Sequence, residues 1–164
     1  MVNVEQLNAL DRHEFVRTLT PVFEHSPWIA ARAQSKQPFA NRAELHAALC
    51  DTVMKASDDE KLCLIRAHPD LVGNATLTSE SQSEQAAAGL GNLSPNEVAQ
   101  FQKYNAAYRD RFEFPFVICA RENKKDAILS AFPRRLQNSR GQEIEIALRE
   151  IFKIAELRLK DLVE

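Results

Sequence analysis

His68 stands in the segment Arg66-Ala67-His68-Pro69-Asp70-Leu71. The proline that follows it biases the histidine backbone towards extended geometry, so the ring leaves the chain from a loop at a helix end. Imidazole titrates near neutrality, and a ring presented in this way is suited to moving a proton to or from a substrate. The same ring could instead only cap the helix C-terminus. Further on, SESQSEQAAA at 79–88 puts Ser81 on one helical face with Glu84 and Gln85, and the alanines favour close packing of that helix. For so polar a segment a solvated face is the simpler reading, and a buried Glu84 the one with chemical content.

Arg158 is a third candidate. It lies fourteen residues after Ile144 and seven after Ile151, on a stripe otherwise built from Ile, Leu and Ala. A guanidinium on that stripe points at the core, where it requires a carboxylate, carbonyl groups or an anionic ligand. Glu84 is the carboxylate that suggests itself, in which case the pair would be structural. His13, His25 and His46 fall within or beside amphipathic helices, and no HExxH or Cys/His cluster has metal-ligand spacing. Neither a phosphate-binding glycine loop nor a GxSxG elbow is present. From the residues alone, the chemistry reduces to a His/Glu/Arg pocket.

The elements that must position these groups are announced by capping patterns. Asp11 with Glu14 opens a helix whose apolar face is Phe15, Leu19, Val22 and Phe23. Asn41 with Glu44 precedes Leu45, Leu49 and Val53, and Ser57 with Glu60 precedes Leu62 and Ile65, in a helix that ends before His68-Pro69. Thr78 caps the polar helix, with Gly89 as its left-handed terminator. Ser94, Pro95 and Glu97 start a helix carrying Val98, Phe101 and Tyr108 towards Arg111. FEFPFVICA, 112–120, is aromatic and β-branched but holds Pro115 and has no partner strand, so it reads as a buried extended connector. A helix runs from about Lys125 to Leu136 despite Pro133, and Ser139 with Gln142 caps a long terminal helix. The fold class is all-α, a multi-helix domain without significant β-sheet. The longest weakly structured stretch, His68 to Leu77, contains Pro69, Gly73 and Asn74, and loops of that size are often functional.

The chain has 164 residues, 45% hydrophobic and 27% charged, the profile of one globular domain over 1–164 with one core. Its net charge of -2 gives no field for nucleic-acid phosphates, so nucleic-acid binding is disfavoured. There is no signal-peptide pattern and no run that would span a bilayer, so no membrane association is expected. Cys50, Cys63 and Cys119 show no CxxC and read as reduced core thiols. A helical adaptor binding partners through amphipathic grooves fits this composition equally well but leaves a core-facing Arg158 without a purpose.

Together, AHPDL at 67–71, TSESQSEQAAAGL at 78–90, YRDRFEFPFVICAR at 108–121 and ALREIFKIAELRL at 147–159 resemble the family of 2-oxo-4-hydroxy-4-carboxy-5-ureidoimidazoline (OHCU) decarboxylases, in order and in spacing. The combination of HPDL, SxxEQ and FPFV is far more specific than any one of them. The resemblance implies an all-helical, usually homodimeric enzyme that converts OHCU to (S)-allantoin in urate degradation, with neither metal nor organic cofactor. It implies that His68 and Glu84 are catalytic. Substrate would be bound by Pro69, by Ser81, Gln82, Ser83, Glu84 and Gln85, by the backbone of Phe116, Val117, Ile118, Cys119 and Ala120, and by Arg158. A decarboxylase or hydratase of another ureido acid on the same scaffold is the alternative. Glu113 departs from the pattern, since the family carries Gly there. The C-terminal DLVE lacks the peroxisomal address of eukaryotic members, so a cytoplasmic enzyme is expected.

In the decarboxylation so implied, the bond from C4 to the carboxylate breaks and its electrons move towards C5, which is then protonated on one face. An arginine gripping the departing carboxylate would stabilise the ground state more than the transition state. Arg158 and the N–H groups near Val117 and Ile118 are therefore expected to face carbonyl oxygens of the ring or ureido arm. The carboxylate is expected in a less polar place, near the ring of Phe116.

Overall fold

A computed structural model describes residues 1–73 and 76–164; Asn74, within the loop expected over 68–77, lies outside them. Among the described residues there are nine α-helices and no strand, only a single parallel bridge between Val2 and Val163. The helices are α1 (Val4–Asn8), α2 (Arg12–Leu19), α3 (Trp28–Ala33), α4 (Arg42–Met54), α5 (Asp58–Arg66), α6 (Ser79–Ala87), α7 (Pro95–Phe112), α8 (Lys125–Leu136) and α9 (Arg140–Leu162). The all-α class expected from the capping patterns is the one observed.

Local chemistry explains most boundaries. Asp11, Asn41, Ser57, Thr78 and Ser94 each accept a backbone N–H three residues on, satisfying donors that an α-helix leaves without internal partners. At Ser139 the exchange is reciprocal: its N–H donates to Gln142 Oε1 at 2.9 Å, and the Gln142 N–H donates to Ser139 Oγ at 3.2 Å. One expected face is interrupted. Pro21, which has no N–H, ends α2 at Leu19, so Val22 lies in a 3-10 turn and Phe23 beyond it, although both remain buried.

The chain divides into two compact units, Met1–Ala67 with Phe152–Glu164, and His68–Ile151. In the first, α3 packs against α2 and α4, and the core holds Phe15, Leu19, Ile29, Leu45, Leu49 and Val53. In the second, α7 packs against α8, and aromatic rings dominate the interior. Tyr108 meets Phe112, Phe114 and Phe116, while Phe116 stacks on Phe132 at 3.9 Å between centroids.

All three cysteines are free, but they are not all core residues: Cys119 is buried, Cys50 half-buried and Cys63 exposed. Cys63 precedes Leu64 and Ile65, which take the inward face of α5, so the helical turn carries the thiol outwards. No helix among the described residues is long and apolar enough to cross a membrane.

Candidate active site

In the second unit, the loop carrying His68 is fastened at several points. His68 itself is buried, 7% exposed, and Pro69 half-buried. Asp70 receives the Arg109 Nε of α7 on both carboxylate oxygens, at 3.0 and 3.1 Å. The Leu71 carbonyl accepts Asn105 Nδ2 at 2.8 Å, and the Val72 N–H donates to Gln85 Oε1 of α6 at 3.2 Å. Val72 has φ of 56°, a conformation β-branched residues rarely adopt. Gln85 thus ties the histidine loop to the helix that carries Ser81 and Glu84.

Helix α6 presents the expected face: Ser81 is buried, Glu84 and Gln85 are half-buried, and Gln82 and Ser83 are exposed. Its end is closed by Gly89 at φ 86°, with the Gly89 N–H on the Ala86 carbonyl and the Leu90 N–H on the Gln85 carbonyl. Lys124 Nζ donates to the Ala87 carbonyl at 2.6 Å and the Lys125 N–H to the Ala88 carbonyl at 3.2 Å, anchoring α6 to the start of α8. Helix α6 also packs on the 3-10 turn Ala120–Glu122, into which the connector runs.

The connector is buried from Phe114 to Ala120 and is neither helix nor strand up to Cys119. Glu113, at φ 64° and ψ 25°, is the left-handed residue that ends α7 and turns the chain into it. The departure from glycine therefore falls on a backbone conformation that glycine adopts without penalty.

Behind the connector lies a polar network that sequence reasoning missed. Arg135 of α8 donates through Nε to Glu143 Oε1 at 2.7 Å and through a terminal nitrogen to the Val117 carbonyl at 2.5 Å. Tyr108 donates to the same Glu143 oxygen at 2.5 Å, and Asn138 Nδ2 to the other at 2.9 Å. Burial pushes the Tyr108 phenol above its ordinary value, against the pull of Arg135 and with the help of Glu143, so it remains a neutral donor. Glu150 accepts the Cys119 N–H at 3.2 Å, and burial raises the Cys119 thiol to about 11.

The N–H groups of Val117 and Ile118 donate to no acceptor among the described residues. The ring of Phe116 is 1% exposed, stacked on Phe132, with the Arg135 guanidinium 4.1 Å from its centroid. The expectation that this ring forms an apolar wall for a substrate carboxylate is corrected: the ring is covered, and the group over it is a cation. Asn105 also escaped notice. It is 7% exposed, and its Oδ1 has no partner among the described residues.

The other histidines lie in the first unit. His13 and His25 are exposed, and His46 Nε2 sits 2.9 Å from the Phe152 carbonyl. Arg158 also belongs to this unit. It is 4% exposed, as its stripe position requires, and the carboxylate that meets it is Glu24, at 2.9 Å, with the Pro21 carbonyl accepting at 3.1 Å. Glu24 is separated from Arg158 by most of the chain, and nothing in helical periodicity points to it.

The family profile described as OHCU decarboxylase matches residues 8–160. The 2-oxo-4-hydroxy-4-carboxy-5-ureidoimidazoline decarboxylase of Haloferax volcanii is 42% identical over 160 residues, covering 98% of this chain and 95% of its own. A crystal structure of (S)-allantoin synthase superposes with a TM-score of 0.83 at 30% identity, covering all of this chain, which spans 54% of that longer one. OHCU decarboxylase crystallised in the presence of (S)-allantoin gives 0.71 at 27% identity, covering 84% of this chain and 91% of its own. With nearly the whole sequence matched, the chain belongs to the OHCU decarboxylase family.

Proposed function

We propose that this protein is a carboxy-lyase that decarboxylates OHCU to (S)-allantoin in urate degradation, with residues 1–164 acting as one decarboxylase domain. The observation that carries the reading is the assembly, in one unit, of the HPDL loop, the SxxEQ helix and the FPFV connector. Gln85 joins the first two, and packing of α6 on Ala120–Glu122 joins the last two. Family membership over nearly the full length supports the same reaction.

His68 and Glu84 are the catalytic pair. As carbon dioxide leaves C4, its bonding electrons pass through C5 to the imine nitrogen, which takes a proton from solvent; one of the pair accepts the proton of the 4-hydroxyl, and one delivers a proton to a single face of C5. Pro69 and Ser81 to Gln85 contact the substrate, and the connector from Phe116 to Ala120 contributes its backbone. The uncommitted N–H groups of Val117 and Ile118 suit carbonyl oxygens on which charge accumulates. Arg158, whose guanidinium meets Glu24 and the Pro21 carbonyl, is a further substrate contact on the strength of family membership. The reaction needs no metal or organic cofactor, and the enzyme works as a homodimer in the cytoplasm.

The test generates OHCU in situ from urate with urate oxidase and hydroxyisourate hydrolase and follows the circular dichroism of the allantoin formed. Wild-type protein should yield (S)-allantoin rapidly, and His68→Ala should lose about 10²–10⁴-fold in rate. Racemic product at the spontaneous rate with wild type rejects the assignment. Equal acceleration by both proteins removes His68 from its role.

A further inference from the structure

A buried cation is a poor device for stability alone, because apolar side chains of similar volume fill a core as well or better. Arg135 is 7% exposed, yet its guanidinium reaches beyond Glu143 to a main-chain carbonyl, that of Val117. That carbonyl shares its peptide group with the Ile118 N–H. A charged donor on the oxygen of an amide withdraws electron density from it and makes its N–H a stronger donor.

The next peptide group carries the Ile118 carbonyl and the Cys119 N–H, and there the partner is a carboxylate, Glu150, at 3.2 Å. An acceptor of that charge on the N–H makes the carbonyl of the same amide a stronger acceptor. Ile118 is therefore flanked by two peptide groups polarised in opposite senses, one by Arg135 and one by Glu150. Neither its N–H nor its C=O has a protein partner among the described residues. A ligand that offers a carbonyl and an N–H side by side, as a ureide does, complements such a residue.

We infer that Arg135, held in place by Glu143 and Tyr108, is a positioning residue that polarises the Ile118 backbone for binding a ureide edge and for stabilising charge that develops on its oxygen. Tyr108 and Asn138 fix the Glu143 carboxylate, and the carboxylate fixes the guanidinium. The inference rests on the decarboxylase reading.

The experiment measures kcat and KM with OHCU generated in situ for wild type, Arg135→Lys and Arg135→Met. It is run at a temperature where circular dichroism shows each protein folded. In parallel, ¹H–¹⁵N spectra of the wild type follow the amides of residues 116–120 as (S)-allantoin is added. Weakening one preorganised donor should lower kcat by about tenfold in Arg135→Lys and about a hundredfold in Arg135→Met, with KM moving less than about threefold. Of the connector amides, Ile118 should shift most. A kcat for folded Arg135→Met within about twofold of wild type overturns the inference, since a merely structural arginine changes the folded fraction and not the turnover of folded enzyme. So does an Ile118 amide that stays still at saturating (S)-allantoin, which decides the matter if neither variant folds. Inactive wild-type enzyme would instead sink the decarboxylase reading.

Discussion

Arg158 in the first unit and Arg135 in the second are both buried, and each meets a buried glutamate, Glu24 at 2.9 Å and Glu143 at 2.7 Å. They differ in how the chain brings them together. Glu24 and Arg158 are 134 residues apart, whereas Arg135 and Glu143 are separated by 8, across the short turn between α8 and α9. The first pair closes a unit built from the two ends of the sequence. The second forms within a helical corner whose own Asn138 supplies part of the network. A similar electrostatic motif therefore serves as a long-range clasp in one place and as a local brace in the other.

The largest effects should come from removing one partner of each pair. Glu24→Ala and Glu143→Ala each take away a carboxylate that meets a buried guanidinium and should cost about 3–5 kcal/mol in urea-induced unfolding. A loss below about 1 kcal/mol at either site would show that water or another acceptor takes over there, and the two pairs would no longer be equivalent.

Arg158→Lys separates charge from shape. Lysine keeps the cation but loses the planar fork, so the rate of (S)-allantoin formation should fall more than about tenfold, or 1.4 kcal/mol. A smaller fall would make Arg158 a clasp and nothing more.

Glu113→Gly probes the backbone next to the second unit's connector. Relieving a left-handed non-glycine residue should raise stability by about 1 kcal/mol, visible as a higher midpoint in thermal unfolding. An unchanged or lower midpoint would mean that side-chain interactions of Glu113 offset its conformation.

The smallest effect belongs to a surface pair of the first unit, the contrast to its buried one. The bond from Arg32, followed by the capping bond from Ser57, holds the Glu60 carboxyl down at about 2. A carboxyl depressed in the folded state adds stability that is fully present above its unfolded value and is lost as pH falls through its folded one. The advantage of wild type over Glu60→Gln in thermal midpoint should therefore be present above about pH 4.5 and vanish towards pH 2. An advantage independent of pH would assign it to capping geometry.

Helices were legible where a local rule governs them, as at Asn41, Ser57, Ser94 and Ser139, because a cap is a contact three residues long. Helix α3 was not, since Pro27 precedes it without any side-chain capping bond. Arg158 was found by its stripe, and the same test finds Arg135, seven residues after Ile128 and three after Phe132, both buried. Beside Arg134 and at a helix C-terminus, Arg135 passes for an ordinary surface cation. Glu143 and Glu150, also seven apart, look amphipathic in sequence because neither partner is near at hand. Glu24 was beyond reach for a simpler reason: a contact across 134 residues leaves no periodic trace.

The unequal exposure of the three thiols has a practical consequence. Burial lifts Cys50 to about 12 and Cys119 to about 11, so neither offers much thiolate to an alkylating reagent at neutral pH. Cys63 lies open on α5, the helix that leads into His68. The native chain thus carries a single address for a fluorophore or spin label, close in sequence to the proposed proton-transfer residue and reachable without mutating anything.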